Sequence, residues 1–138
     1  MISKLLSILF GTIFTMLIGY CWYSIIFRNR YMKEANIKYE KEKENNQQNN
    51  QPLLFELTGR FLQACLITIF YNVLKSKDER DLILALTLAV FFCLSFQVQY
   101  YTSKVVWEQK TWNYFVIKVC EQFISLSTLS IIAYIFVK

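Results

Sequence analysis

The chain has no histidine, one proline and three glycines among its 138 residues. Without histidine, the commonest general base and the commonest metal ligand are both missing. With so little proline and glycine, tight turns are scarce, and an all-β architecture loses the residues that punctuate it. The four cysteines, Cys21, Cys65, Cys93 and Cys120, form no CxxC and fall in four different apolar segments. That placement excludes a small extracellular disulfide scaffold and reads each cysteine as a small apolar side chain. No glycine-rich phosphate loop occurs, and Ser95, Ser125, Ser127 and Ser130 have no obvious base partner. No catalytic residue, metal site or cofactor is assigned on these grounds, and an enzyme is not expected.

What the chain does have is apolar length. Hydrophobic residues make up 55% of it and aromatics 17%, more than a small soluble domain usually carries. Four stretches, about 5–27, 53–74, 82–101 and 114–137, are long enough to cross a bilayer as helices, since a hydrocarbon core of about 30 Å takes roughly 20 residues. Strands of a membrane barrel would be about 10 residues long and would alternate; these runs are longer and do not. The expected fold class is an all-α membrane protein, a four-transmembrane-helix bundle. It forms a single membrane domain over residues 1–138, with a polar loop at 28–52, and its first partner is the lipid bilayer.

The first stretch also has to be weighed as a cleaved signal. Lys4 gives a minimal basic start, but Tyr20-Cys21-Trp22-Tyr23 stands where a small-residue cleavage site would be needed, and Arg28 and Arg30 follow as a stop-transfer boundary would. A retained first helix is expected. The net charge of +5 would suggest nucleic acid in a soluble protein; beside membrane spans it sets topology and meets lipid headgroups instead, so no nucleic-acid partner is expected. The first and third connections carry eight Lys and Arg residues against five at the termini and in the second connection. The richer side belongs on the cytoplasmic face, which puts both termini on the non-cytoplasmic side. Trp22, Trp107 and Trp112, with Tyr23, Tyr100, Tyr101 and Tyr114, lie at the same end and read as an interfacial aromatic belt.

The first loop changes along its length. Residues 28–44 mix Lys and Glu and could extend the first helix through pairs such as Glu34–Lys38 at i, i+4. Asn45–Gln51 is an Asn/Gln tract closed by Pro52; it has nothing to bury and is expected to be disordered and without a role.

Small residues recur every four positions in two spans: Ser7, Gly11, Thr15 and Gly19 in the first, and Ala85, Ala89 and Cys93 in the third, a line that continues to Gln97. In lipid, helices associate by close backbone approach over small residues, so these stripes are assigned to helix packing.

Two patches resemble a known family. Gly19-Tyr20-Cys21-Trp22-Tyr23-Ser24, followed by Ile26-Phe27 and by Tyr31-Met32-Lys33-Glu34-Ala35-Asn36-Ile37, is similar to the opening signature of the domain of unknown function 1761 family. Trp107-Glu108-Gln109-Lys110 before Phe115-Val116-Ile117 is similar to that family's connector into its last helix. Ile25 and Arg28 depart from it, standing where a proline and a glycine are common. The resemblance implies a small four-helix membrane protein over essentially the whole chain, and implies no activity.

The remaining candidates are polar residues inside the spans. Glu56, Arg60 and Gln63 share one face of the second helix; Lys118, Glu121, Gln122, Ser125 and Thr128 form a stripe on the fourth; Gln97 and Gln99 lie near the end of the third. Intramembrane charges cost about 2.5–3.5 kcal/mol each near a helix centre, so they face inward and find partners. Equal counts from the helix starts place Arg60 level with Glu121 and Glu56 near Lys118. Gln63, Gln97 and Gln122 are left to satisfy the remaining donors and acceptors. Such a polar seam either holds the bundle together or offers a path for a proton, ion or small polar solute. The first is preferred, because the charges sit toward one end. The expected function is a structural or accessory component acting through helix packing with itself or with other membrane subunits; the alternative is a small transporter or channel-like protein using the seam.

Overall fold

The computed structural model describes residues 2–34, 51–75 and 81–137, and those residues are helical without a strand. Six α-helices follow in chain order: α1 (Ile2–Cys21), α2 (Arg28–Glu34), α3 (Gln51–Leu74), α4 (Leu82–Phe92), α5 (Gln99–Trp107) and α6 (Trp112–Phe136). Two wide π-helical turns, Trp22–Ile26 and Cys93–Val98, extend α1 and join α4 to α5. The result is four helices long and apolar enough to cross a membrane: Ile2–Ile26, Leu53–Leu74, Leu82–Trp107 and Trp112–Phe136. The third runs six residues past the expected end at Tyr101. Nothing breaks it there, because the next residues carry no proline or glycine and Tyr100–Trp107 continues as regular helix. The Asn/Gln tract, apart from Gln51 at the start of α3, and the Glu34–Lys38 pair lie outside the described residues.

Local signals set the helix ends. Asp81 caps α4 by accepting from the Leu84 N–H at 3.0 Å, and Thr111 caps α6 by accepting from the Tyr114 N–H at 3.1 Å. Between α5 and α6, Gln109 takes a left-handed backbone (φ 54°) that stops the helix and turns the chain back. At the other end of α6, Lys75 Nζ donates to the Val137 carbonyl at 3.3 Å.

α6 is the central helix and packs against α1, α4 and α3; α1 and α3 also pack together, while α3 meets the third span mainly along α4. The small-residue stripes form these contacts. Ser7, Thr15 and Gly19 are buried, and a Cβ on Gly11 would come 2.7 Å from Leu129 Cδ2 and 3.6 Å from the Ala64 Cβ. The Ser7 and Thr68 hydroxyls share a hydrogen bond at 3.2 Å. The Thr12 and Thr15 hydroxyls donate back to carbonyls of their own helix, which removes the cost of burying them. Ala85, Ala89 and Cys93 belong to the core with Ile67, Tyr71, Leu126, Leu129 and Ala133. Outside, the distribution is inverted relative to a water-soluble protein. Ile13, Leu17, Leu62, Ile69, Ile83 and Val116 all point outward, whereas Thr15, Glu121, Ser125 and Ser130 are fully buried.

Candidate functional site

The polar face of α3 meets that of α6 near the end where the first and third connections lie. Arg60 reaches across to α6: Nη2 donates to Glu121 Oε1 at 2.7 Å, while Nε donates to Glu56 Oε1 at 2.9 Å. Gly19 on α1 borders this crossing: a Cβ there would sit in van der Waals contact, 3.4 Å from Arg60 Nη2 and 3.8 Å from Glu121 Oε1. Arg60 is 3% exposed and Glu121 0%, so a charge left alone here would be unsolvated.

Glu121 is saturated. Oε1 also accepts from Ser125 Oγ at 2.9 Å, and Oε2 accepts from Gln122 Nε2 at 2.8 Å and from the Tyr23 hydroxyl at 3.2 Å. An ionised carboxylate has about four lone-pair sites, and four donors fill them. The chain of bonds then returns to α3, where Gln63 Nε2 donates to Gln122 Oε1 at 3.4 Å. Three helices, α1, α3 and α6, are therefore tied to one carboxylate.

Two expected members take other positions. Lys118 forms no salt bridge with Glu56 among the described residues. Glu56 stands one turn before Arg60 on the same helix and pairs with it, its side chain 56% exposed. The Lys118 ammonium lies 4.3 Å over the Tyr23 ring and 4.7 Å over the Tyr31 ring instead, a cation–π setting for a charge that makes no salt bridge among the described residues. Gln97 does not join the network either. Carried on the wide turn Cys93–Val98, it faces a crevice of about 170 Å³ with Gln63, Phe92, Phe96 and Leu126. Thr128 bonds to its own helix at the Ile124 carbonyl, and Gln99 is exposed.

A cavity of about 380 Å³ opens beside the network, with Tyr23, Tyr31, Glu56, Arg60, Lys118 and Glu121 on its walls. Tyr31 comes from α2, which folds over the bundle end: its ring stacks near Tyr114 at 6.3 Å, and Glu34 accepts from the Thr111 hydroxyl and from Asn113 Nδ2. The Thr111 bond, helped by Asn113 and Lys33, holds the Glu34 carboxyl below the usual carboxylate range. Burial, then the charges of Glu56 and Glu121, push the Tyr31 phenol up.

Tyr23 was legible only as part of an aromatic belt, yet it stands four residues after Gly19 and continues the Ser7–Gly11–Thr15–Gly19 spacing, so its inward direction was implicit. Trp22 likewise turns inward, its indole N–H donating to the Ile117 carbonyl at 3.1 Å. All four cysteines are free thiols.

Fold and site together define an all-helical bundle of four helices able to span a membrane, with a buried ionic network at one end. The chain belongs to the family described as Protein of unknown function (DUF1761), whose family model matches residues 6–134, a stretch that holds all the residues of the network and both patches that carried the resemblance. No curated protein and no solved structure matches it.

Proposed function

We propose that the chain is a multipass integral membrane protein, with both termini on the non-cytoplasmic side, that serves as a structural or accessory component of a membrane assembly and acts through helix packing. One observation carries this reading. Arg60, Glu56 and Glu121 are engaged with one another at one end of the bundle, and below them the helices close on Ala64, Ile67, Ala85, Ala89, Leu129 and Ala133. A carrier or channel needs charged or strongly polar groups on both sides of the midplane; the core beyond the network holds apolar side chains and a few hydroxyls, of which Ser7 and Thr68 bond to each other and Thr12 and Thr15 to their own helix. The outward apolar surface supports residence in lipid, and no catalytic role is part of the reading.

Native purification in mild detergent followed by mass spectrometry tests it. Recovery with a second membrane protein, or as a homo-oligomer, in stoichiometric amount is the expected result. A monomer that moves a solute by itself after reconstitution would overturn it. That second reading, a small transporter, draws its support from the cavity that reaches Arg60 and Glu121. For orientation, Asn29→Cys in a chain with its four cysteines replaced should resist an impermeant thiol reagent applied to sealed cells from outside.

A further inference from the structure

The short helix α2 is the most basic described element, and crevices flank it on both sides. Arg28, Arg30 and Lys33 are exposed, and neither Arg30 nor Lys33 forms a salt bridge among the described residues. The one acidic residue of that helix, Glu34, accepts from Thr111 and Asn113 and also feels the charge of Lys33, which leaves the helix a net cationic excess. Those bonds fix α2 against the start of α6 and leave a crevice of about 480 Å³ between them. Its polar lining is Arg30 and Lys33 together with Glu34 and Asn113, which bond to each other, so that two basic groups face one acidic group; its apolar wall is Phe27, Val116 and Ile117. The apolar wall does not end in the crevice: Val116 is 54% exposed and runs out onto the outward face of the bundle.

A polar lining with a cationic excess beside an apolar wall is the profile of a phospholipid at the membrane interface, which presents a phosphate and an acyl chain together. Depth agrees with this, because the crevice lies at the end of the spans that carries Trp107 and Trp112, both exposed. A free phosphate would use Arg30 and Lys33 alone and leave the apolar wall uncovered. We propose that the crevice between α2 and α6 binds an anionic phospholipid, its headgroup phosphate held by Arg30 and Lys33 and an acyl chain lying over Phe27 and Val116. The proposal rests on the membrane reading above but not on the accessory role.

The test uses the full chain purified in neutral detergent and titrated with phosphatidylglycerol, with phosphatidylcholine in parallel, followed by thermal shift and by native mass spectrometry. Retention of the chain in alkali-washed membranes checks the membrane reading separately, and loss from them would remove that premise rather than the crevice argument. Phosphatidylglycerol should stabilise the wild type and phosphatidylcholine should not. Arg30→Gln with Lys33→Gln should weaken phosphatidylglycerol binding about 30-fold, the combined effect of two basic side chains near an anionic surface. Lys104→Gln with Lys110→Gln, on the same end but outside the crevice, should leave most of the binding intact. Both side chains of the first pair are exposed, so melting without lipid should be unchanged; Lys33→Gln alone, with a smaller loss, serves if it is not. Equal losses in the two double variants would reduce the effect to diffuse surface charge and overturn the proposal. So would equal stabilisation by phosphatidylcholine, or by inorganic phosphate at the same concentration.

Discussion

At the end near the termini, the four long helices meet through alanines, leucines and a Ser7–Thr68 hydroxyl pair, and no charged side chain lies in that core. At the opposite end, α1, α3 and α6 meet around one carboxylate that accepts from Arg60, Ser125, Gln122 and Tyr23. The first kind of contact is sustained by close approach and dispersion, which act alike on many small residues and tolerate local change. The second concentrates its energy in a few directed bonds between groups that have lost their water. Removing one of those groups does more than delete a contact, because it strands the partner. The same bundle is thus robust in one half and brittle in the other.

That contrast sets an order of effects. Arg60→Met should be the most damaging, costing about 3–5 kcal/mol because it leaves the buried Glu121 carboxylate without its cation, and Glu121→Leu should follow, since Arg60 then keeps only its half-exposed partner Glu56; thermal unfolding in detergent reads this directly. Leu129→Ala, in the apolar half, should cost less. With lipid as the surroundings, the transfer of the side chain is nearly neutral and only the cavity and lost dispersion remain, roughly 2 kcal/mol. A larger loss at Leu129 than at Arg60 would reverse the comparison. Tyr23→Phe removes one of four donors to Glu121 and keeps the ring under Lys118, so about 1 kcal/mol is expected.

The smallest effect is one of pH. The folded-state carboxyl of Glu34 is depressed by Thr111 and its neighbours. Its contribution to the docking of α2 is therefore present above the ordinary carboxylate pKa and is lost as pH falls through the depressed value. Limited proteolysis at Arg28, Arg30 and Lys33 should quicken at acid pH in the wild type. In Glu34→Gln it should already be quick at neutral pH.

Much of this arrangement was legible in the residues. Apolar length gave the four helices, and the i, i+4 spacing of Glu56 and Arg60, counted from the helix start, put Arg60 level with Glu121. The small-residue line from Ser7 to Gly19 marked the inward face of the first helix. What spacing could not supply was competition between partners. Glu56 has both Arg60 and Lys118 within the same region, and the intrahelical partner wins because it needs no ordering across a gap. Lys118 then goes to Tyr23 and Tyr31, and Tyr31 is available only because α2 folds back over the bundle, which no periodicity announces. Gln97 was drawn into the seam by its place after Ala85, Ala89 and Cys93. It is carried instead on the wide turn Cys93–Val98 and faces a crevice that it shares with Gln63 and not with Glu121.

The central claim is that Arg60 and Glu121 act as one unit that clamps the helices, and a double-mutant cycle tests it most directly. Exchanging the two charges would be a poor probe, since Ser125, Gln122 and Tyr23 would then aim donors at a guanidinium. Arg60→Met, Glu121→Leu and the combined variant should be compared by unfolding in the same detergent. If the clamp account holds, each single change is strongly destabilising and the double is no worse than the more damaging single, because neither charge is left stranded. If the two losses simply add, or if either single variant melts like the wild type, the pair is not what holds this end of the bundle together.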